Sequence, residues 1–175
     1  SDSPDHAGLI DAVGDADALY AHITNQVDAA VMDAAPNLKI IAEFGVGYDN
    51  IDEAAATERG IAVCNTPGIL SESTADLAFS LIMALGRRIN DLPGIVKSGQ
   101  WGDFDPLAYL ATDIHHKTLG IVGMGRIGSR FSRFMLPWGV NLVGYDPYVA
   151  DEHFESHQVR RVTYDELLAE SDVVT

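Results

Sequence analysis

Residues 118–146 read TLGIVGMGRIGSRFSRFMLPWGVNLVGYD. An apolar run (Leu119, Ile121, Val122) leads into Gly123-Met124-Gly125-Arg126-Ile127-Gly128. A helix-like segment follows, then a second apolar run that ends on Asp146. Strand, glycine loop, helix, strand and acid, in that order, are the context in which G-x-G-x-x-G predicts a dinucleotide site. Gly123 serves the tight turn out of the strand. Gly125, without a Cβ, lets a pyrophosphate approach the backbone, and Gly128 lets the helix pack closely on the strand. The free N–H groups and the positive dipole end at the helix start favour phosphate. Asp146 stands 18 residues after Gly128. There its carboxylate can accept both hydroxyls of an adenine ribose and repel a 2′-phosphate, which predicts NAD rather than NADP.

The chain around this motif has 175 residues, enough for one domain or two small ones, and is 47% hydrophobic. Its longest apolar run, at residues 77–85, is too short and interrupted to span a bilayer. No basic segment followed by an apolar one suggests a signal peptide. The single cysteine, Cys64, has no internal partner, which suits a reducing cytoplasm. Its apolar neighbours Ile61, Ala62 and Val63 predict a buried structural thiol rather than a nucleophile. The net charge is −15, with 26 acidic residues against 11 basic ones. Such a surface repels nucleic acid and anionic membranes, so neither is expected as a partner. Any site for an acid must then be locally positive.

Upstream, short helices are expected over residues 7–13, 27–35 and 52–59, with Thr24 capping the second, and strands over 18–23, 38–43 and 61–64. This alternation predicts a parallel sheet with helices on both faces. It opens on a helix, so a first strand is expected upstream. The second strand runs into the loop Phe44-Gly45-Val46-Gly47-Tyr48-Asp49-Asn50. Residues 71–88 are the longest helix candidate, with Leu77, Leu81 and Leu85 in a wide apolar face beside Ala78, Ile82 and Ala84. A weaker helical segment covers 90–98. Residues 99–113, with Trp101, Phe104 and Tyr109, form an irregular excursion. Beyond Asp146, a strand is expected at 158–162, a helix at 164–169 and a strand opening at 172. The sheet is expected to be incomplete at both ends.

Five segments together, LKIIAEFGVGYDNID, ATERGIAVCNTPG, STADLAFSLIMALGRRI, KTLGIVGMGRIGSRF and YDELLAESDVVT, resemble the D-isomer-specific 2-hydroxyacid dehydrogenase family, in family order from Leu38 to Thr175. That family includes glyoxylate/hydroxypyruvate reductases and 3-phosphoglycerate dehydrogenases. The resemblance implies an α/β architecture: a flavodoxin-like substrate domain at residues 1–70, lacking its first strand, and the first half of a Rossmann NAD-binding domain at 71–175. It implies hydride transfer between NAD and a small 2-oxo or 2-hydroxy acid. Val46 and Gly47 match the family loop whose amides bind the substrate carboxylate. Two small residues between a strand and a helix can aim amides at an anion, which agrees with that role. Thr74, Arg126 and Ile127 match residues at the cofactor, beside Gly123, Gly125, Gly128 and Asp146. The family is usually dimeric, which makes the 71–88 helix and the 99–113 excursion candidate interface pieces.

The family's catalytic Arg, Glu and His are expected beyond Thr175, so no catalytic residue is assigned within this range and the chain alone is expected to be inactive. The local histidines are expected to be structural or superficial: His115 and His116 before the glycine-loop strand, His22 in a buried strand, and His6, His153 and His157 exposed. Glu43, Asp49 and Asn50 are expected to shape the loop and cap a helix. No metal site is expected. A reading from another class stays open, because NAD-sensing corepressors of the C-terminal-binding-protein type resemble the same family.

Overall fold

The computed structural model describes residues 4–102 and 105–175. Residues 1–3, and Asp103 and Phe104 of the irregular excursion, lie outside the described residues. The chain divides into two compact units, Ser1–Leu70 and Ser71–Thr175.

The first unit contains α1 (His6–Val13), β1 (Ala18–Ala21), α2 (Ala29–Asp33), β2 (Ile40–Glu43), α3 (Glu53–Glu58) and β3 (Ala62–Cys64). The strands are parallel in the order β1-β2-β3, with Ala18 opposite Ile40 and Ile40 opposite Ala62. Each helix starts on an aspartate whose side chain accepts a first-turn amide: Asp5 from Gly8, Asp28 from Ala30 and Val31, and Asp52 from Ala55. Thr24 is not the cap of α2, because Val27 bridges to Ile51 and keeps the chain extended up to Asp28.

Strand alternation sorts this sheet into two faces. Ala21 and Ile41 pack with Leu9, Val13, Val31, Met32, Ala55 and Ala56 from all three helices. The opposite face leaves Tyr20, Ile40 and Phe44 exposed. Among the described residues this unit carries helices on one face only, where the sequence predicted both, and β1 is not a buried strand. Cys64 shares the open face and is exposed, against the expectation of a buried thiol. His22 lies just beyond β1 rather than within a buried strand, exposed, with Nδ1 3.0 Å from Thr24 Oγ1.

The second unit contains α4 (Ser71–Gly86), α5 (Leu92–Lys97), β4 (Thr118–Val122), α6 (Arg126–Met135), β5 (Asn141–Tyr145), α7 (Asp151–Ser156), β6 (Arg160–Arg161), α8 (Tyr164–Glu170) and β7 (Val173–Val174). Its parallel order is β6-β5-β4-β7, with Leu119 between Leu142 and Val173. Here helices do cover both faces. Leu119, Ile121 and Leu142 join residues of α4, α6 and α7 in one cluster, while Leu167 of α8 packs with Val143 on the other side. Gly120 admits α8: a Cβ there would lie 2.7 Å from Leu167 Cδ2.

Two features differ from the sequence reading. α7 is an additional helix, and its one buried side chain is Phe154. In α4 the core side is Ala75 and Ile82, with Ala78, Phe79 and Met83 packed beside them. Leu77, Leu81 and Leu85 are 58%, 52% and 69% exposed instead.

Candidate functional site

The glycine loop joins β4 to α6. Gly123 has φ +93°, a left-handed conformation that side chains rarely adopt. A Cβ on Gly128 would lie 2.0 Å from the Gly123 carbonyl oxygen, so the helix can meet the turn only through glycine. A Cβ on Gly125 would meet nothing within 4 Å, so space is open above it. Gly125 is also the N-cap residue of α6 and supplies no side-chain cap. The first amides of α6, those of Arg126 and Ile127, consequently lack intrahelical acceptors. Both residues are exposed, and Arg126 makes no ion pair among the described residues. An open backbone surface, a helix N-terminus and an unpaired guanidinium are a donor set suited to a pyrophosphate.

Asp146 follows β5 and is 8% exposed. Its Oδ2 accepts the Met124 amide and its Oδ1 the Tyr148 amide, each at 2.9 Å. Each oxygen keeps a further lone pair for a hydroxyl. The carbonyl of Met124 accepts Ser129 Oγ at 3.0 Å, and Ser129 Oγ lies 2.8 Å from His153 Nε2. The serine proton goes to Met124, so the histidine donates. Met124 is thus tied through both its amide and its carbonyl. His153 and His157 are half-buried in this arrangement, with ring centroids 4.4 Å apart, and not exposed as the sequence reading had them. Thr74 sits exposed in the first turn of α4, which packs along α6 and adds a Glu72–Arg130 contact of 3.6 Å.

In the first unit, the loop after β2 carries Val46 and Gly47. The Gly45 carbonyl accepts both the amide and the hydroxyl of Thr66, each at 2.9 Å. The Val46 carbonyl accepts Asn65 Nδ2 at 2.8 Å. In a planar trans peptide the N–H points opposite to the C=O. The amides of Val46 and Gly47 therefore point away from Asn65 and Thr66, and neither has an acceptor among the described residues. Below the loop, Glu43 is 2% exposed. Asn50 Nδ2 lies 3.2 Å from Glu43 Oε2, 2.9 Å from the Asn25 carbonyl and 3.4 Å from that of His22. Glu43 ends β2 and Asn50 ends the loop, so this contact fastens both loop ends. The basic side chains of this unit, Lys39 and Arg59, are paired with Asp17 and Asp33.

The family model described as D-isomer specific 2-hydroxyacid dehydrogenase, catalytic domain, matches residues 1–170. This chain belongs to that family. It is 43% identical to the glyoxylate reductase of Korarchaeum cryptofilum over 98% of its own length and 52% of that protein. It is 38% identical to the D-3-phosphoglycerate dehydrogenase of Mycobacterium leprae over 99% of its length and 32% of that protein. The chain thus spans about half the length of the curated glyoxylate reductases it matches. Among solved structures, D-lactate dehydrogenase from Aquifex aeolicus, complexed with NAD and lactic acid, superposes with a TM-score of 0.83 at 28% identity, covering 94% of this chain and 49% of that one. The TT0316 protein of Thermus thermophilus gives 0.84 at 38% identity, covering 96% and 52%.

Within the second unit, Gly123, Gly125, Arg126, Ile127, Gly128 and Asp146 meet at one end of β4 and β5. Sequence reasoning missed the residues that hold the two loops: Asn65 and Thr66 beside Val46, and Ser129 and His153 behind Met124. Their signal was weak but present. Asn65 and Thr66 directly follow a strand end, and Ser129 directly follows the last glycine of the motif. Among the described residues no group of three or more His, Cys, Asp or Glu could hold a metal ion, and no helix is long and apolar enough to cross a membrane.

Proposed function

We propose that the protein carrying this chain is an NAD-dependent oxidoreductase that moves a hydride between the cofactor and C2 of a small 2-oxo or 2-hydroxy acid. Ser1–Leu70 is the substrate domain and Ser71–Thr175 belongs to the NAD-binding domain. The observation that carries this reading is the glycine loop, open above Gly125 and closed by the Asp146 carboxylate. Family membership sets the reaction class, and the cofactor named in the D-lactate dehydrogenase complex agrees with it.

Gly123, Gly125, Arg126, Ile127 and Gly128 hold the pyrophosphate, Asp146 holds the adenine ribose, and Thr74 contributes at the start of α4. Bound NAD supplies the hydride acceptor or donor; the chain supplies position. Val46 and Gly47 take the substrate carboxylate on their amides. Among the described residues of Ser1–Leu70 the lysine and the arginine, Lys39 and Arg59, are each paired with an aspartate. That supports a singly charged acid of the glyoxylate or hydroxypyruvate kind over a phosphorylated one. The exposed leucines of α4 support a second copy of the chain as protein partner, and the reducing compartment suggested by the lone cysteine supports a cytoplasmic setting.

The test is NADH oxidation by the whole protein with glyoxylate, hydroxypyruvate and phosphohydroxypyruvate. Turnover of the first two, with NADPH much the poorer cofactor, is the expected result. No turnover with any of the three acids overturns the proposal.

A further inference from the structure

The two outward amides of the Val46–Gly47 loop are not held in the same way. The Gly45 carbonyl, which fixes the Val46 amide, accepts two donors, and one of them is main chain. The Val46 carbonyl, which fixes the Gly47 amide, has one donor among the described residues, the Asn65 side chain. The peptide between Val46 and Gly47 is also the easier one to turn over. Its second residue is glycine, which tolerates both signs of φ, and a Cβ on Gly47 would meet only Asp49 Oδ1, at 3.7 Å. A reversed peptide would present the Val46 carbonyl, an acceptor, where the Gly47 amide had been. An anion there would meet repulsion instead of a hydrogen bond. Among the described residues of this unit the lysine and the arginine, Lys39 and Arg59, are each already paired with an aspartate.

We infer that Asn65 is a positioning residue: its amide holds the Val46 carbonyl so that the Gly47 N–H faces the carboxylate of the acid. The inference rests on the proposed role of Val46 and Gly47 and adds the residue that makes that role directional. As a positioning residue Asn65 need not touch substrate or cofactor. It acts through one peptide plane, and its orienting part is the Nδ2 donor alone. Asparagine cannot be replaced there by aspartate, which is isosteric but has no donor and would set a carboxylate oxygen against a carbonyl oxygen.

The experiment uses the whole protein. Asn65→Ala, Asn65→Asp and Thr66→Val are compared with wild type for KM and kcat with the preferred 2-oxo acid, inhibition by oxalate, NADH affinity by fluorescence, and Tm. Losing an aimed hydrogen bond to a carboxylate corresponds to about tenfold or more in affinity. Asn65→Ala is expected to raise KM and the oxalate inhibition constant by about that factor, and Asn65→Asp by more. NADH affinity should stay within about twofold. Thr66→Val should produce a smaller rise than either, because the Thr66 amide still holds the Gly45 carbonyl. A merely structural role would move Tm and NADH affinity together with KM, and that result overturns the inference. An Asn65→Asp protein, with its unchanged side-chain volume, carries the test if the alanine variant does not fold. If wild type reduces 2-oxo acids and both Asn65 variants keep its KM, this inference fails and the proposed function stands. If wild type reduces none, both fail.

Discussion

The carboxylate of Asp146 accepts the main-chain amide of Met124 at 2.9 Å, so the acid at the end of β5 is bound to the middle of the glycine loop. One side chain therefore has two duties. It offers acceptors for a ribose, and it fixes the loop on which the pyrophosphate would rest. Asp146→Asn separates them poorly, because its new amide group must face either the Met124 or the Tyr148 N–H, donor against donor. An unsatisfied buried donor costs about 1–3 kcal/mol. Asp146→Asn should lower stability by about that amount and weaken NADH binding by about tenfold or more, read by chemical denaturation and fluorescence titration. Unchanged stability would show that the contact with Met124 is dispensable.

Gly125 and Gly128 make opposite predictions although they share one motif. A methyl on Gly125 enters open space, whereas one on Gly128 would lie 2.0 Å from the Gly123 carbonyl oxygen. Gly125→Ala should leave Tm close to wild type and abolish measurable NADH binding. Gly128→Ala should destabilise the fold by several kcal/mol, about the upper range for overpacking. Denaturation and cofactor titration of both variants check the pair, and equal losses of stability would contradict it.

The parts legible in the sequence were those with a strict local pattern. The glycine motif, its flanking strands and the acid fell where a dinucleotide loop requires them, and Gly128 shows why: no other residue fits against Gly123. The α4 surface was not legible in the same way. Its leucines and its Ala75–Ala78–Ile82 side are both apolar, and periodicity cannot rank two apolar sides of one helix. The choice is made by α6, which packs against the smaller residues. α7 carries one apolar side chain, Phe154, in six residues, too few to show a period. The contacts of Asn65 with Val46 and of His153 with Ser129 join positions 19 and 24 residues apart. No local pattern encodes such pairings.

Asp172 gives a pH prediction. Its carboxylate accepts the Thr118 amide and the Lys117 ammonium, each at 2.9 Å, fastening β7 to the start of β4. The Thr118 amide bond first, and Lys117 second, hold its pKa below the ordinary aspartate value. A depressed folded value contributes stability that is present above the unfolded pKa and is lost as pH falls through the folded one. Asp172→Asn should therefore be less stable than wild type at neutral pH, and the difference should shrink below about pH 4. Urea midpoints across that range measure it. A gap that widened on acidification would refute the assignment.

Leu81 and Ile82 are neighbours on α4 with opposite environments, 52% and 7% exposed. Ile82 packs in the cluster that holds Leu119 and Phe131, and Ile82→Ala should cost about 2–5 kcal/mol through lost burial and the cavity left behind. Leu81 follows Leu77 and precedes Leu85 at four-residue spacing, so the three side chains form one stripe along the helix. If that stripe is covered by a second copy of the chain, Leu81→Asp places a charge in an apolar interface. Sedimentation velocity of the whole protein should then show a shift from dimer toward monomer, while the fold of each subunit, followed by circular dichroism, stays intact. Ile82→Ala should do the reverse, lowering the unfolding midpoint without changing assembly at temperatures where the protein remains folded. A Leu81→Asp protein that sediments like wild type would leave the leucine stripe facing water and remove α4 from the interface.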